Sequence, residues 1–78
     1  MAEFAFEGTK YAVARDPDTK ELHVTRSNGA LVARFHPRKD GRRQSVRWDL
    51  EIGMNWPWSR KDELVKLAIK AATGRAVA

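Results

Sequence analysis

Apolar and polar residues alternate through the first two-thirds of the chain, and this alternation restricts the fold more than any other property of the sequence. A period of two places one face of each strand in the core and the other in water. The pattern therefore predicts a half-buried sheet of four or five strands. Its apolar members are Phe4, Phe6, Tyr11, Val13, Leu22, Val24, Leu31, Ala33, Phe35, Val46, Trp48, Leu50 and Ile52.

Turn signals separate these apolar groups. The segment 16–19 (Asp-Pro-Asp-Thr) has proline where a type I turn needs φ near −65°. Asn28-Gly29 is a strong signal for a two-residue hairpin turn. Asp40-Gly41 lies in a longer basic loop, and Gly8-Thr9 is a weaker break that indicates either a turn or a bulge. The strands therefore follow one another through short connections.

The two clearest turns also predict the pairing of the strands. A two-residue turn at Asn28-Gly29 places Val24 opposite Ala33, and a four-residue loop at 16–19 places Val13 opposite Leu22. Both pairings keep the apolar residues on one face of the sheet. This agreement between independent turns favours an antiparallel β-meander.

A helix is predicted over residues 60–73. Ser59 can cap it, with Asp62 three residues further on, and Gly74 is placed to end it. Its apolar stripe must cover the apolar face of the sheet. The predicted fold is therefore one small basic α+β domain over residues 1–78, a meander packed on one face by a single C-terminal helix. The stripe consists of Leu64, Val65, Leu67, Ala68, Ile69, Ala71 and Ala72.

Positive charge is concentrated in the middle of the chain. Residues 26–48 contain seven basic residues and one acidic residue, a balance of +6, within a net charge of +5 for the whole chain. Residues 1–25 have a balance of −2, and residues 49–78 have a balance of +1. Six of the seven central cations are arginine, whose planar donors suit phosphate. A patch of this kind favours polyanions or an acidic protein partner, although it can also serve solubility alone.

The polar phase of the strands defines the opposite face of the predicted sheet. Arg34 and Arg47 should lie on neighbouring strands there, and His23 should lie opposite Arg34. Because like charges repel at close range, either the arginines splay into water or an anion lies between them. This face carries no Phe, Tyr or Trp, so we expect backbone contacts rather than base stacking. Its residues are Lys10, Ala12, Ala14, Glu21, His23, Thr25, Val32, Arg34, His36, Ser45, Arg47, Asp49 and Glu51.

Two further groups of cations are candidates for phosphate contact. The loop 37–43 contains Arg38, Lys39, Arg42 and Arg43. The tip of a charged β-ribbon can clamp phosphates; alternatively, such a loop only discourages edge-to-edge aggregation.

The second group, Arg60 and Lys61, lies in the first helical turn, where acidic residues are normally preferred. Free amides beside cations suit an anion; the alternative is simple tolerance, with Asp62 as cap partner. Just before this turn, Trp56 and Trp58 flank Pro57. They either plug the end of the core or form an edge that binds a partner.

The leading hypothesis is a small nucleic-acid-binding protein, for DNA or RNA, that is not an enzyme. The alternative is a protein-interaction or inhibitor module that uses the basic patch against an acidic partner, or Trp56 and Trp58. A ribonuclease-like toxin using surface histidines is a third possibility. The residues predicted to contact nucleic acid are Arg34, Arg38, Lys39, Arg42, Arg43, Arg47, Arg60 and Lys61.

Composition limits the remaining classes. The chain has no cysteine, which excludes a disulfide scaffold and suits a reducing cytoplasm. Two histidines are too few for a structural zinc site, and we predict neither a metal nor a cofactor. Residues 1–4 lack the features of a signal peptide, and no apolar run approaches the ~20 residues that span a bilayer. A homodimer would be an unsurprising source of stability at this size.

In layout, a strand meander with one helix and a basic surface resembles archaeal chromatin proteins and the arm-binding domains of tyrosine integrases. The resemblance is one of shape and carries no family motif. No functional residue is therefore transferred from it.

Overall fold

A computed structural model describes residues 2–36, 46–49 and 53–74 of the protein. Five antiparallel strands form one sheet in chain order, and a single helix follows them, which confirms the predicted α+β fold. Leu50 and Ile52 of the predicted alternation lie outside the described residues. The elements are β1 (Ala2–Phe6), β2 (Thr9–Arg15), β3 (Leu22–Arg26), β4 (Leu31–Phe35), β5 (Val46–Trp48) and α1 (Trp58–Thr73).

The break at Gly8 is a hairpin turn rather than a bulge. Phe6 pairs with Thr9, so the loop contains only Glu7 and Gly8, and both have positive φ, 50° and 78°. A two-residue turn with two positive φ values matches the right-handed twist of the strands that it joins. The weak sequence signal therefore separates two strands.

The connection between β2 and β3 differs from the predicted loop. Val13 pairs with Val24, and Arg15 pairs with Leu22, so the predicted pairing of Val13 with Leu22 is wrong. The Asp16 carboxylate accepts the amide N–H groups of residues 18 and 19 at 2.8 and 3.2 Å, and the Asp16 N–H donates to the carbonyl of residue 21. This hydrogen bond extends the pairing one residue beyond the end of β2. The loop therefore begins at residue 17, one residue later than predicted.

The turn between β3 and β4 is also longer than predicted. The Arg26 N–H donates to the Ala30 carbonyl, and the Gly29 N–H donates to the Arg26 carbonyl. Gly29 has a φ of 88°. A three-residue loop ending in a left-handed glycine is a common hairpin connection. It changes the register by one residue compared with the predicted two-residue turn.

A β-bulge then restores the predicted pairing. Thr25 pairs with Leu31 and Val24 pairs with Ala33, so Val32 is the extra residue. Because one inserted residue reverses the alternation, Val32 is buried and Leu31 is 39% exposed. The sequence pattern placed both residues on the opposite faces. The predicted pairing of Val24 with Ala33 is confirmed.

The core lies between the apolar face of the sheet, called here the inner face, and helix α1. The helix packs on β1 and β2 through Leu64 and Ala68, both fully buried. Within residues 2–36, 46–49 and 53–74, no helix has the length and apolar character to cross a bilayer. The sheet contributes Phe6, Tyr11, Val13, Leu22, Val24, Val32 and Phe35 to the core.

The helix begins two residues earlier than predicted, and Ser59 is not its cap. Pro57 occupies the cap position, and no side chain there accepts a hydrogen bond from the helix. Proline's fixed φ near −65° suits the start of a helix, and its missing N–H is not needed there. Gly74 ends the helix as predicted, with a φ of 76° and its N–H bonded to the Lys70 carbonyl.

Gly53 permits close packing against the indole of Trp48. A Cβ atom at residue 53 would lie 2.6 Å from Cε3 and 3.2 Å from Cζ3 of the Trp48 ring. The Trp48 ring is rigid and cannot move aside as the end of a flexible side chain can. We therefore expect Gly53→Ala to lower the free energy of unfolding by about 1–3 kcal/mol, measured by urea denaturation.

The Trp48→Phe background provides the control for this prediction. Phenylalanine removes the second ring of the indole, so Gly53→Ala should cost measurably less in that background. An equal loss in both backgrounds would show that the cost arises elsewhere, for example in the backbone of residue 53.

Candidate nucleic-acid interface

Three nitrogen-bearing side chains form a row across the open face of the sheet. His23 pairs with Arg34, and Arg34 pairs with Arg47. All three lie on the face opposite the core, called here the outer face. We call these residues the cation row. Neighbouring strands lie about 4.8 Å apart, so the row extends roughly 10 Å from β3 to β5.

The two arginines of the cation row lie directly opposite each other on β4 and β5. Arg34 is half-buried and Arg47 is exposed. Among the residues that the structure describes, no acidic side chain forms an ion pair with either guanidinium group. Like charges directly opposite each other on neighbouring strands are destabilising. The pair therefore produces a local positive potential that an anion would relieve.

His23 has a different environment from the arginines. Its Nε2 atom lies 3.9 Å from Oδ2 of Asp16. The pKa of the Asp16 carboxyl lies below its usual range, first because it accepts the backbone N–H of Asp18 and then that of Thr19, with a smaller contribution from His23. Asp16 is thus ionised at neutral pH and places a negative charge beside the His23 end of the row. The positive charge of the row lies at the Arg34 and Arg47 end.

The outer face beyond the cation row has little net charge. Ala14 continues the row onto β2, opposite His23. The next row of paired residues is Glu3, Ala12, Thr25 and Leu31. Lys10 pairs with Ala5 in the row after that, so Glu3 and Lys10 offset each other and the β1–β2 side of this face has little net charge.

Arg60, a predicted phosphate ligand, is instead engaged with the β1 end of the core. Its Nε atom forms an ion pair with Oε1 of Glu7. Its guanidinium carbon lies 3.8 Å from the ring centroid of Trp56 and 5.9 Å from that of Phe6. Stacking on an indole is a favourable position for a guanidinium group. Arg60 therefore joins the first hairpin to the helix and does not extend the cation row.

Lys61, the second predicted ligand in this turn, points inward. It is only 6% exposed, and its Nζ donates to the Met54 carbonyl at 2.7 Å. The same ammonium lies 5.5 Å from the Trp48 ring and 4.7 Å from the Trp58 ring. These contacts satisfy the charge within the protein.

The spacing of the helix contained a signal for this burial. Lys61 lies three residues before Leu64 and seven before Ala68, on the stripe that becomes buried. Residues at this spacing share one face of a helix. The position of Lys61 on this face therefore predicts its burial, which its charge alone does not.

The two tryptophans around Pro57 have separate roles. Trp56 is half-buried, with its ring 6.0 Å from Phe6 and 6.1 Å from Trp48. It therefore plugs the end of the core, as one of the two interpretations predicted. Trp58 is 60% exposed at the first residue of the helix, with its ring 4.7 Å from the Lys61 ammonium. Of these two tryptophans, Trp58 is the one whose exposure suits a partner-binding edge.

The structure thus brings together Arg34 and Arg47 of the predicted contact residues. Arg60 and Lys61 pack beside inner-face aromatic residues instead. The loop cations Arg38, Lys39, Arg42 and Arg43 lie outside the described residues, and their role remains a prediction from sequence. The described residues contain no cluster of three or more His, Asp or Glu side chains that could bind a metal ion.

Comparison with known proteins identifies no matching family model, no matching curated protein and no matching solved structure. The cation row and the residues around it are therefore the features of this protein that bear on its function.

Proposed function

We propose that this protein binds nucleic acid and that Arg34 and Arg47 contact the phosphate backbone. The observation that carries the proposal is the direct opposition of these two arginines on an open sheet face. A guanidinium group binds phosphate through two parallel hydrogen bonds, and two such groups on neighbouring strands can bind the same backbone.

Charge elsewhere in the chain supports the same proposal. The segment between β4 and β5 carries Arg38, Lys39, Arg42 and Arg43. This segment follows the strand that carries Arg34 and precedes the strand that carries Arg47. A net charge of +5 also favours long-range attraction to a polyanion.

The proposal is tested by the salt dependence of binding to a fluorescently labelled 20-base-pair DNA. Fluorescence anisotropy gives the binding constant over a range of salt concentrations. Arg34→Gln with Arg47→Gln should weaken binding to unrelated sequences alike. Because each lost phosphate contact lowers the log–log salt slope by about 0.9, the slope should fall by about 1.8 if each arginine contacts one phosphate.

A matched control separates a site from net charge. Lys66 and Lys70 are exposed on α1, which covers the inner face, so Lys66→Gln with Lys70→Gln removes the same charge away from the cation row. This control should leave the salt slope nearly unchanged. Equal effects of both double variants would mean that binding is generic, and no binding by the natural sequence at low salt would refute the proposal.

A second candidate function rests on the exposure of Trp58. Tryptophan and methionine are both common in protein-binding anchors, and Trp58 and Met54 are 60% and 42% exposed, which favours a protein-interaction module as the alternative. If the chain binds no nucleic acid, Trp58→Ala should abolish association with a protein partner that copurifies after nuclease treatment. Arg34→Gln with Arg47→Gln would then test whether that partner is acidic.

A further inference from the structure

The use of aromatic residues in this protein bears on the form of nucleic acid that it can bind. The chain has three Phe, one Tyr and three Trp, seven in all, and every one lies in the described part of the chain. Six of them pack into or against the core: Phe4, Phe6, Tyr11, Phe35, Trp48 and Trp56. The seventh, Trp58, begins the helix.

The cation row has no Phe, Tyr or Trp beside it among the described outer-face residues. Its paired neighbours are Ala14 in the same row, and Ala12, Thr25 and Leu31 in the next. Glu21 and His36 follow on the other side, two residues along the chain from His23 and Arg34. Sheet proteins that bind single strands stack unpaired bases on aromatic side chains, and this stacking supplies much of their affinity. Here six of the seven rings are used by the core, and the seventh, Trp58, lies on α1, which covers the inner face.

We infer that the cation row binds double-helical nucleic acid in preference to single strands. This inference rests on the proposed function and specifies its ligand. In a duplex the bases are already stacked on each other, so the protein has to supply only phosphate contacts. A duplex also presents about one negative charge per 1.7 Å of its axis, which suits two opposed guanidinium groups.

The distribution of charge on the outer face favours one part of it for a duplex backbone. On the β1–β2 side, Glu3 and Lys10 are both exposed and offset each other. The arginines lie at the opposite end, on β4 and β5. The phosphate backbone should therefore cross the sheet over β3 to β5.

The experiment compares one 20-nucleotide sequence as duplex DNA, duplex RNA and the corresponding single strands, at one salt concentration. We expect each duplex to bind about tenfold or more tightly than its component strands, the effect of roughly one missing base stack. The DNA and RNA arms identify which double helix is preferred. If single strands bind as tightly as duplexes or more tightly, the inference is wrong while the proposed function stands.

An engineered aromatic residue provides the second arm. Ala14 is exposed and lies opposite His23 in the cation row, so Ala14→Phe adds a ring beside the proposed phosphate path. It should raise single-strand affinity by about tenfold and weaken duplex binding, because the ring would stand next to β3 and obstruct a rigid duplex that crosses β3 to β5. Ala14→Ser is the control of similar size and should change neither. Thermal melting verifies that both variants fold.

The outcomes separate the two claims. Unchanged duplex and single-strand binding in folded Ala14→Phe would show that nucleic acid does not lie over this part of the outer face, which overturns the inference. Absence of binding to all four nucleic acids by the natural sequence would overturn the proposed function, and the inference with it.

Discussion

Replacing Phe35 by alanine is expected to lower the free energy of unfolding by about 3–5 kcal/mol. Phe35 is 1% exposed, and its ring belongs to the cluster that joins the sheet to the helix. Removing it leaves a cavity that the small domain can fill only in part. Since domains of this size have total stabilities of about 5–15 kcal/mol or less, the variant should be largely unfolded near physiological temperature.

Leu31→Ala is the matched control, and urea denaturation of the two variants provides the measurement. Leu31 lies on the same strand and has a similar apolar side chain, but the bulge at Val32 turns it outward. We expect its loss to change stability by only about 0.5 kcal/mol. Similar losses for both variants would mean that the bulge does not form and that the simple alternation of the sequence holds.

Leu64→Ala is expected to cost about 2–5 kcal/mol. Leu64 is fully buried and is the largest helical side chain in the core cluster, so this substitution tests the docking of α1 on β1 and β2. Lys66→Ala, on the exposed side of the same helix, should be nearly neutral. A small loss for Leu64→Ala in urea denaturation would show that the helix is not held to the sheet through this residue.

The sequence was sufficient to predict the order of the strands and, apart from residues 31 and 32, the face on which their side chains lie. The error at the β2–β3 loop left the face assignment intact, because the pairing changed by two residues and side chains alternate with a period of two. The Asp16 carboxylate accepts hydrogen bonds from the backbone N–H groups of residues 18 and 19, and these bonds define the observed loop. They depend on a local geometry that residue type only suggests.

The errors around Leu31 and Val32 have a different origin. The β3–β4 turn contains one residue more than predicted, and the bulge adds one residue to β4. The two changes cancel, so Val24 still pairs with Ala33, whereas Leu31 and Val32 exchange faces. Alternation alone cannot distinguish this arrangement from a tight turn followed by a regular strand. Only the packing of Val32 into the core decides between them.

The candidate site was predicted in part. The placement of Arg34 and Arg47 on neighbouring strands of one face followed from strand phase, and their direct opposition is set by the register of β4 and β5. The stacking of Arg60 and the burial of Lys61 could not be predicted from their charge alone, because both depend on the aromatic residues beside them. Long cationic side chains can bury their stems and bind carbonyls or rings, and Trp48, Trp56 and Trp58 create that environment.

The sequential order of the strands has a consequence for folding kinetics. Every strand pairs with its neighbour in the chain, so the sheet can form by successive closures of short loops, which favours rapid folding. The contact of α1 with β1 instead joins the two ends of the chain and closes the longest loop. Helix docking should therefore come late. In stopped-flow experiments Leu64→Ala should mainly accelerate unfolding, whereas substitutions at Val13 or Val24 should slow folding.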